Sequence, residues 1–124
     1  MKVRNIKIGI ATTKEILDRF IENVKIIGDG GTPKKSFGVY FENLEAMRKV
    51  LTPNRLAILK VVKEKEPSSL YELAKMLKRD TKNVSDDVAL LAQSGFIKLK
   101  KTKEDRMRVI PKVDYDKIVF EIAV

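Results

Sequence analysis

The spacing of hydrophobic positions along residues 68–95 predicts two short helices joined by a tight turn. Apolar side chains recur at intervals of three and four over residues 70–77, which forms one face of a helix. Ser69 and Glu72 stand at the start of this helix in the spacing of a capping box. The apolar pattern breaks over residues 78–80 and then resumes.

The second helix has its apolar residues on one side and is followed by a glycine. Asp80 or Thr81 is expected to cap its first turn. Its inner face consists of Val84, Val88 and Leu91. Gly95 ends the helix, because glycine adopts the left-handed conformation at little steric cost. Two short helices with a tight turn between them are the arrangement that presents a helix to the DNA major groove.

Residues 96–109 predict a β-hairpin that is rich in positive charge. The first strand turns at residues 103–105 and the second returns through Met107 and Val109. Residues 98–112 contain seven basic and two acidic residues, a net charge of 7 − 2 = +5. A run of charge is commonly just a solvated surface. Directly behind a helix-turn-helix pattern, however, it is the expected footprint on DNA phosphates.

The beginning of the chain predicts a strand followed by an amphipathic helix. Alternating isoleucines over residues 3–10 indicate a half-buried strand. Thr12 and Glu15 form a second capping-box pair, and the helix after them is expected to run for about three turns. Its apolar stripe consists of Ile16, Leu17, Phe20, Ile21 and Val24.

A loop, a strand and two helices are predicted next. Residues 28–31 are glycine-rich but match no phosphate-binding fingerprint, so a plain mobile loop is expected. Residues 37–41 alternate as a short strand, and Asn43 caps a helix over residues 44–51. The Thr-Pro pair at residues 52–53 opens a core helix, because proline in the first turn costs no hydrogen bond.

The end of the chain predicts one more strand. Its apolar face consists of Ile118, Phe120, Ile122 and Val124. Complete burial of each large apolar side chain contributes about 1.5–3 kcal/mol, so this face is expected to be covered. Strands need partners, so the first and last strands either pair with each other or pair across a two-fold axis. We favour a dimer built from these elements, with its second helices one DNA turn, about 34 Å, apart.

Composition narrows the class of protein. The chain has 124 residues, of which 44% are hydrophobic and 35% charged, and a net charge of +9. It has no cysteine and no histidine, which excludes disulfides and the commonest metal ligand, and we expect no cofactor and no metal. No apolar run approaches the ~20 residues of a membrane span, and the N-terminus lacks the core of a signal peptide. A cytoplasmic protein without a membrane partner is therefore expected.

The carboxylates do not form a catalytic pattern. The available ones are Glu42, Glu45, Glu72, Asp80, Asp86 and Asp87, and we interpret them as helix caps or spaced surface charges. Asp86 and Asp87 are adjacent on a helix and point about 100° apart, which makes a poor metal clamp. No nucleophile elbow and no phosphate loop occurs in the sequence. We therefore predict that the protein is not an enzyme.

Several strings of residues carry a resemblance to a known family. L-T-P-N-R-L-A-I-L at residues 51–59 is followed by S-S-L-Y-E-L-A, R-D-T-K-N-V, D-V-A-L-L and G-F-I. These strings resemble small prokaryotic predicted transcriptional regulators of the MarR-like winged-helix superfamily. The resemblance covers residues 37–124, with F-E-N-L-E as its lead-in, and R-D-T-K-N-V is its most specific part.

The resemblance implies binding of double-stranded DNA, as a homodimer, in transcriptional control. Some members are similar to antitoxin-type regulators, so a toxin is a further expected partner. The alternative is a winged helix that binds protein or RNA. Exposure of Asp86 on the second helix, with positive charge supplied mainly by the hairpin, would favour that alternative.

The expected fold class is α+β. A winged helix-turn-helix with a three-helix core and a β-hairpin wing follows an N-terminal β-α-β extension. The extension covers residues 1–42, and residues 43–124 form the DNA-binding domain with its C-terminal strand. The second helix, residues 81–94, is expected in the major groove and the wing, residues 98–112, on phosphates. Candidate DNA contacts are Arg79, Thr81, Lys82, Asn83, Ser85, Asp86, Lys100, Lys101, Lys103, Arg106 and Arg108.

Asp86 is the position at which the chain departs from the family pattern. After K-N-V the family commonly has histidine and arginine, where this chain has Ser85 and Asp86. Helical geometry places Lys82 and Asp86 near the outward centre of the second helix. An outward aspartate repels phosphate but accepts a hydrogen bond from cytosine N4. Either Asp86 contacts a base, or it pairs with Lys82 four residues earlier.

Overall fold

The computed structural model describes residues 4–28, 38–103 and 107–122 and shows a mixed α+β protein. The helices are α1 (Thr13–Gly28), α2 (Leu44–Val50), α3 (Pro53–Lys65), α4 (Leu70–Leu77) and α5 (Thr81–Gln93). The strands are β1 (Asn5–Ile10), β2 (Gly38–Phe41), β3 (Lys98–Lys103), β4 (Met107–Lys112) and β5 (Lys117–Glu121). Four predicted features fall wholly or partly outside these ranges. They are the glycine loop at residues 28–31, Phe37, the hairpin turn at residues 103–105 and Val124.

The two ends of the described chain meet in a parallel three-stranded sheet. Its order is β2-β1-β5, with Ile8 of β1 opposite Val39 on one side and Phe120 on the other. Of the two pairings considered for the terminal strands, pairing with each other within one chain is therefore confirmed. Asp116 strengthens the junction, because its backbone N–H donates to the Arg4 carbonyl at 2.7 Å and its carboxylate accepts from the Arg4 N–H at 2.9 Å.

The main core lies between this sheet and the helices α3, α4 and α5. Its fully buried side chains include Ile8, Ile58, Leu73, Val84, Val88, Leu91 and Phe96. Phe41 of the sheet stacks on Phe96, which directly follows α5, with the ring centroids 6.2 Å apart. The predicted inner face of α5 is confirmed, and the sheet packs against the end of that helix.

Helix starts follow the predicted caps. The side chains of Asn43, Thr52, Ser69 and Asp80 each accept a hydrogen bond from a backbone N–H three residues later. At α1 the capping box is reciprocal, with Thr12 and Glu15 each donating a backbone N–H to the other's side chain. At α4, Glu72 accepts from both the N–H and the hydroxyl of Ser68. The capping rules therefore located the N-termini of these helices.

Two apolar faces are less covered than expected. Helix α1 has 16 residues, longer than three turns, and its predicted stripe from Ile16 to Val24 is 40–64% exposed. In β5, Phe120 is 41% exposed and the following Ile122 is 48% exposed, whereas Ile118 packs against the core. The monomer therefore covers only part of the described C-terminal face, and cover by a second subunit stays a prediction. Periodicity identifies which side of an element is apolar, but it does not identify what covers that side.

Gly95 closes α5 in a left-handed conformation, as expected. Its φ is 93°. The Phe96 N–H donates to the Leu91 carbonyl at 2.8 Å and the Gly95 N–H to the Ala92 carbonyl at 3.2 Å. These two bonds form a Schellman motif, which satisfies carbonyls at the helix end. A side chain on Gly95 would also approach Val39 of β2 at 3.4 Å.

Replacing Gly95 by alanine is expected to lower the free energy of unfolding by about 1–2 kcal/mol, the cost of a left-handed L-residue. Urea denaturation measures this change. The matched control is Ser94→Ala, because Ser94 has a right-handed backbone with φ −83°. Equal losses in the two variants would contradict a role for the left-handed conformation.

Candidate nucleic-acid interface

The turn between α4 and α5 comprises residues 78–80, the length that the sequence predicts. Lys78 has a φ of 55°, in the left-handed region. The Lys78 N–H donates to the Lys75 carbonyl at 3.1 Å, and the Arg79 N–H donates to the Ala74 carbonyl at 3.0 Å. This is a second Schellman motif, here with lysine where glycine is usual. Asp80 then caps α5 by accepting from the Asn83 N–H at 3.2 Å.

Helix α5 separates a buried side from an exposed one. Val84, Val88 and Leu91 are at most 1% exposed. The exposed side holds Thr81, Lys82, Asn83, Asp86, Ala89 and Gln93, with Ser85 half-buried at its margin. Six of the candidate DNA contacts lie between residues 79 and 86, and five of these six are on the surface of α5. The sixth, Arg79, is engaged elsewhere.

A carboxylate that the sequence analysis placed on the surface instead joins three parts of the fold. Asp87 Oδ1 lies 3.1 Å from Nε of Arg55 in α3, and Oδ2 lies 2.8 Å from Nη2 of Arg79 in the turn. The side chain of Asp87 is only 16% exposed. Arg55 also donates through Nη1 to the carbonyls of Lys49 and Val50 at the end of α2. The interpretation of Asp87 as a surface charge is therefore wrong.

This network gives Arg79 a structural position. Its side chain is 27% exposed, and its buried Nη1 atom has no hydrogen-bond partner among the residues that the structure describes. The guanidinium therefore faces the fold and holds the turn against α5. Sequence spacing did not reveal this, because Arg79 and Asp87 are eight residues apart, which is not the spacing of three or four that pairs side chains on one helix.

Asp86 is exposed and does not pair with Lys82. Both residues lie in the described part of α5, and no ion pair forms between them. The alternative in which Asp86 pairs with Lys82 is therefore not observed, and the carboxylate of Asp86 is accessible. The outward side of α5 has one cation and one anion, and its net charge is close to zero.

The basic hairpin distributes its lysines over two faces. In the β3–β4 register, Lys100 lies opposite Ile110 and Lys101 lies opposite Val109. Because side chains alternate along a strand, Lys100 and Lys101 point to opposite faces. Both are exposed. The backbones of Lys103 and Arg108 lie in the strands, and Arg106 is outside the described residues.

One lysine of the hairpin is neutralised locally. Lys98 Nζ donates to Asp114 Oδ2 at 2.8 Å, and this hydrogen bond lowers the pKa of Asp114 below its ordinary 3.8. A lowered pKa means that the pair persists at neutral pH and is lost only as the pH falls through that lowered value. At neutral pH, Lys98 is therefore less available to an external anion than Lys100 or Lys101.

The segment after the hairpin is held by further polar contacts. The Tyr115 hydroxyl donates to the Phe96 carbonyl at 2.8 Å. Burial raises the pKa of Tyr115 well above 10, so the phenol keeps its proton. The backbone N–H of Arg4 and the ammonium of Lys63 lower the pKa of Asp116. These contacts fix the path from the hairpin to β5.

Helix α4 adds an exposed cationic feature that the sequence analysis did not single out. Lys75 Nζ lies 4.9 Å from the centroid of the Tyr71 ring, within the range of a cation–π contact. Tyr71 is 60% exposed. Their spacing of four residues on one helix is the signal that would have located the pair.

The described residues contain no group of three or more His, Cys, Asp or Glu side chains arranged to hold a metal ion. None of the helices in the ranges covered by the structure has the length and hydropathy of a membrane span.

Comparison with known proteins gives a family. The model of the HVO_A0114 family matches residues 50–120, which is more than half of the chain. This region runs from the end of α2 into β5 and includes the turn, α5 and the hairpin. No curated protein matches the chain.

Replacing Asp87 by asparagine is expected to lower the free energy of unfolding by about 2–4 kcal/mol, because two partly buried guanidinium groups lose their countercharge. Thermal or urea denaturation measures the loss. Asp86→Asn is the matched control, since Asp86 is the adjacent, exposed carboxylate and forms no ion pair within the described ranges. A similar loss in both variants would mean that the Arg55–Asp87–Arg79 network adds nothing specific.

Proposed function

The chain belongs to the HVO_A0114 family, and we propose that it is a sequence-specific regulator of transcription that binds double-stranded DNA. In this proposal the fold is a MarR-like winged helix-turn-helix, and the protein acts as a homodimer in the cytoplasm. The observation that carries the proposal is the exposed start of α5, with Lys82 and Asn83 presented beside a three-residue turn. No catalytic step is assigned to the protein.

The arrangement of elements supports the winged-helix interpretation. Helices α3, α4 and α5 contact one another in pairs, and a two-stranded antiparallel hairpin follows directly after α5. Strand β4 of this hairpin contacts both α3 and α4. In such modules the second helix of the turn enters the major groove, and the first crosses the DNA backbone. Helix α5 is the candidate for the groove, and α4 is the candidate for the backbone contact.

The exposed residues of α5 differ in what they can contact. Asn83 can donate to and accept from the major-groove edge of adenine, and Lys82 can donate to guanine or to a phosphate. Thr81 and Ser85 are hydroxyl donors for a nearby phosphate or base. Asp86 can accept only from a donor such as cytosine N4. Arg79 acts indirectly, by holding the turn from which α5 starts.

The different charges of α5 and the hairpin suggest different roles for these two elements in DNA binding. The outward side of α5 has a net charge close to zero, so it offers little general attraction to DNA. Lys100 and Lys101 on the hairpin are exposed and have no ion pair with any residue that the structure describes. Phosphate contacts from such lysines supply affinity without sequence preference. We therefore assign affinity mainly to the hairpin and selection to α5.

Replacing Lys100 and Lys101 together by alanine is expected to weaken binding to all DNA sequences alike. Each lost phosphate contact reduces the slope of log K against log salt by about 0.9, so the slope falls by about 0.9 if one face of the hairpin contacts DNA and by about 1.8 if both faces do. Fluorescence anisotropy over a range of salt concentrations measures the slope. The two single variants then show which face of the hairpin contacts DNA, because the lysines point to opposite faces.

The variant Asp114→Asn is expected to change the salt slope in the opposite direction. It releases Lys98 from its ion pair, and one additional phosphate contact would steepen the slope by about 0.9. A slope that stays unchanged in the double alanine variant would remove the hairpin from the interface.

Replacing Asn83 by alanine is expected to cost about 1–3 kcal/mol on a cognate site and little on random DNA. Such a site is first obtained by mapping the DNA bound by the protein. Gln93→Ala is the matched control, because Gln93 is an exposed amide at the opposite end of α5. Equal losses on cognate and random DNA would make Asn83 a positioning residue, and lost thermal stability would indicate a role within the fold.

The accessible carboxylate of Asp86 favours a second candidate function. A helix surface whose carboxylate has no ion pair among the described residues suits a protein partner, such as a toxin, better than it suits a run of phosphates. RNA repels this carboxylate as DNA does, so RNA binding would depend on the basic hairpin. Gel-shift titration with double-stranded DNA, double-stranded RNA and single strands of the same sequence separates these cases. Preference for double-stranded DNA supports the first proposal, and absence of all binding favours a protein-interaction module.

A further inference from the structure

Strand β5 is an open edge of the parallel sheet. The sheet order is β2-β1-β5, so one side of β5 pairs with β1 and the other has no strand partner among the described residues. An exposed edge presents unpaired backbone N–H and C=O groups that can accept a further strand. The register of β5 on β1 is held by the mutual hydrogen bonds of Arg4 and Asp116. The edge is therefore a defined surface.

The side chains along this edge are apolar and exposed. Val119 is 36% exposed, Phe120 41% and Ile122 48%. Val119 and Phe120 point to opposite faces of the sheet, so apolar surface is left on both faces of β5. A strand with these features is expected to be covered by another strand.

We propose that β5 pairs with β5 of a second copy of this chain, in the antiparallel direction and centred on Val119. The strand reads Lys117-Ile118-Val119-Phe120-Glu121, with a cation at one end, an anion at the other and three apolar residues between them. In this register Val119 lies opposite Val119, Ile118 lies opposite Phe120, and Lys117 lies opposite Glu121. The two three-stranded sheets join into one sheet of six strands.

The charges at the two ends of β5 favour a second copy of the chain as the partner and the antiparallel direction of pairing. Lys117 and Glu121 are exposed, and neither forms an ion pair in the described part of the chain. Antiparallel pairing brings each lysine opposite a glutamate of the second copy, twice per dimer. Parallel pairing would place like charges opposite each other, which is unfavourable. The strand is complementary to itself only in the antiparallel arrangement.

The inference deepens the homodimer of the proposed function but does not depend on DNA binding. Another uncovered apolar surface is the stripe of α1, which is flanked by exposed charges of both signs at Lys14, Glu15, Asp18 and Glu22. It is the competing dimer interface in the test. All measurements are made on the full chain without DNA, so failure of this inference and failure of DNA binding remain distinguishable.

The test uses two charge reversals, Lys117→Glu and Glu121→Lys. Each variant alone places like charges opposite each other at both ends of the strand pair. We expect each to raise the dimer dissociation constant at least about tenfold at low salt, as measured by sedimentation equilibrium. Circular dichroism confirms that the monomers remain folded, which is expected because both side chains are exposed.

Complementation provides the decisive arm. An equimolar mixture of the two variants restores both opposite-charge pairs in a heterodimer, and the double exchange K117E/E121K restores them in a homodimer. Recovery of wild-type affinity in both cases supports the register. A wild-type chain that is monomeric throughout would overturn the inference. Charge reversals without effect, together with loss of the dimer in Phe20→Glu of α1, would also overturn it and assign the interface to α1.

Discussion

The carboxylate of Asp87, held between the guanidinium groups of Arg55 and Arg79, sets the position of α5 in this protein. The two contacts are 3.1 and 2.8 Å long, and all three side chains are less than one third exposed. Apolar packing of α5 is compatible with small rotations about its axis, because hydrophobic contact is non-directional. Directed contacts to α3 and to the turn restrict such rotations. The buried apolar face and this network together determine which residues α5 presents to solvent.

The sheet and the proposed DNA-contacting helix are physically connected. Phe41 of β2 stacks on Phe96, and Phe96 donates its N–H to the Schellman motif that closes α5. The Tyr115 hydroxyl binds the carbonyl of the same Phe96 on the path to β5. A dimer formed through β5 would therefore fix the two α5 helices relative to each other through packed contacts. Recognition of two DNA half-sites requires a fixed relative position of this kind.

Much of the fold follows from short-range rules of the sequence. The capping residues Asn43, Thr52, Ser69 and Asp80 located four helix starts, and Gly95 located the end of α5. These features depend on bonds between residues less than six positions apart, so they are visible in the sequence itself. The inner face of α5 follows from its apolar period. The hairpin follows from two predicted strands on either side of a short turn. The α+β class and the three-residue turn follow from them.

Only the tertiary structure decided which residues that are distant in sequence contact each other. The sequence left open whether the first and last strands pair with each other, and the register of Ile8 with Phe120 settled it over a separation of more than one hundred residues. Asp87 looked like a surface charge because its partner Arg55 is distant in sequence. Amphipathicity predicted an apolar stripe on α1, but not that this stripe lies exposed. Local rules determine caps, turns and faces, whereas the contacts made by those faces depend on three-dimensional proximity that no spacing in the sequence encodes.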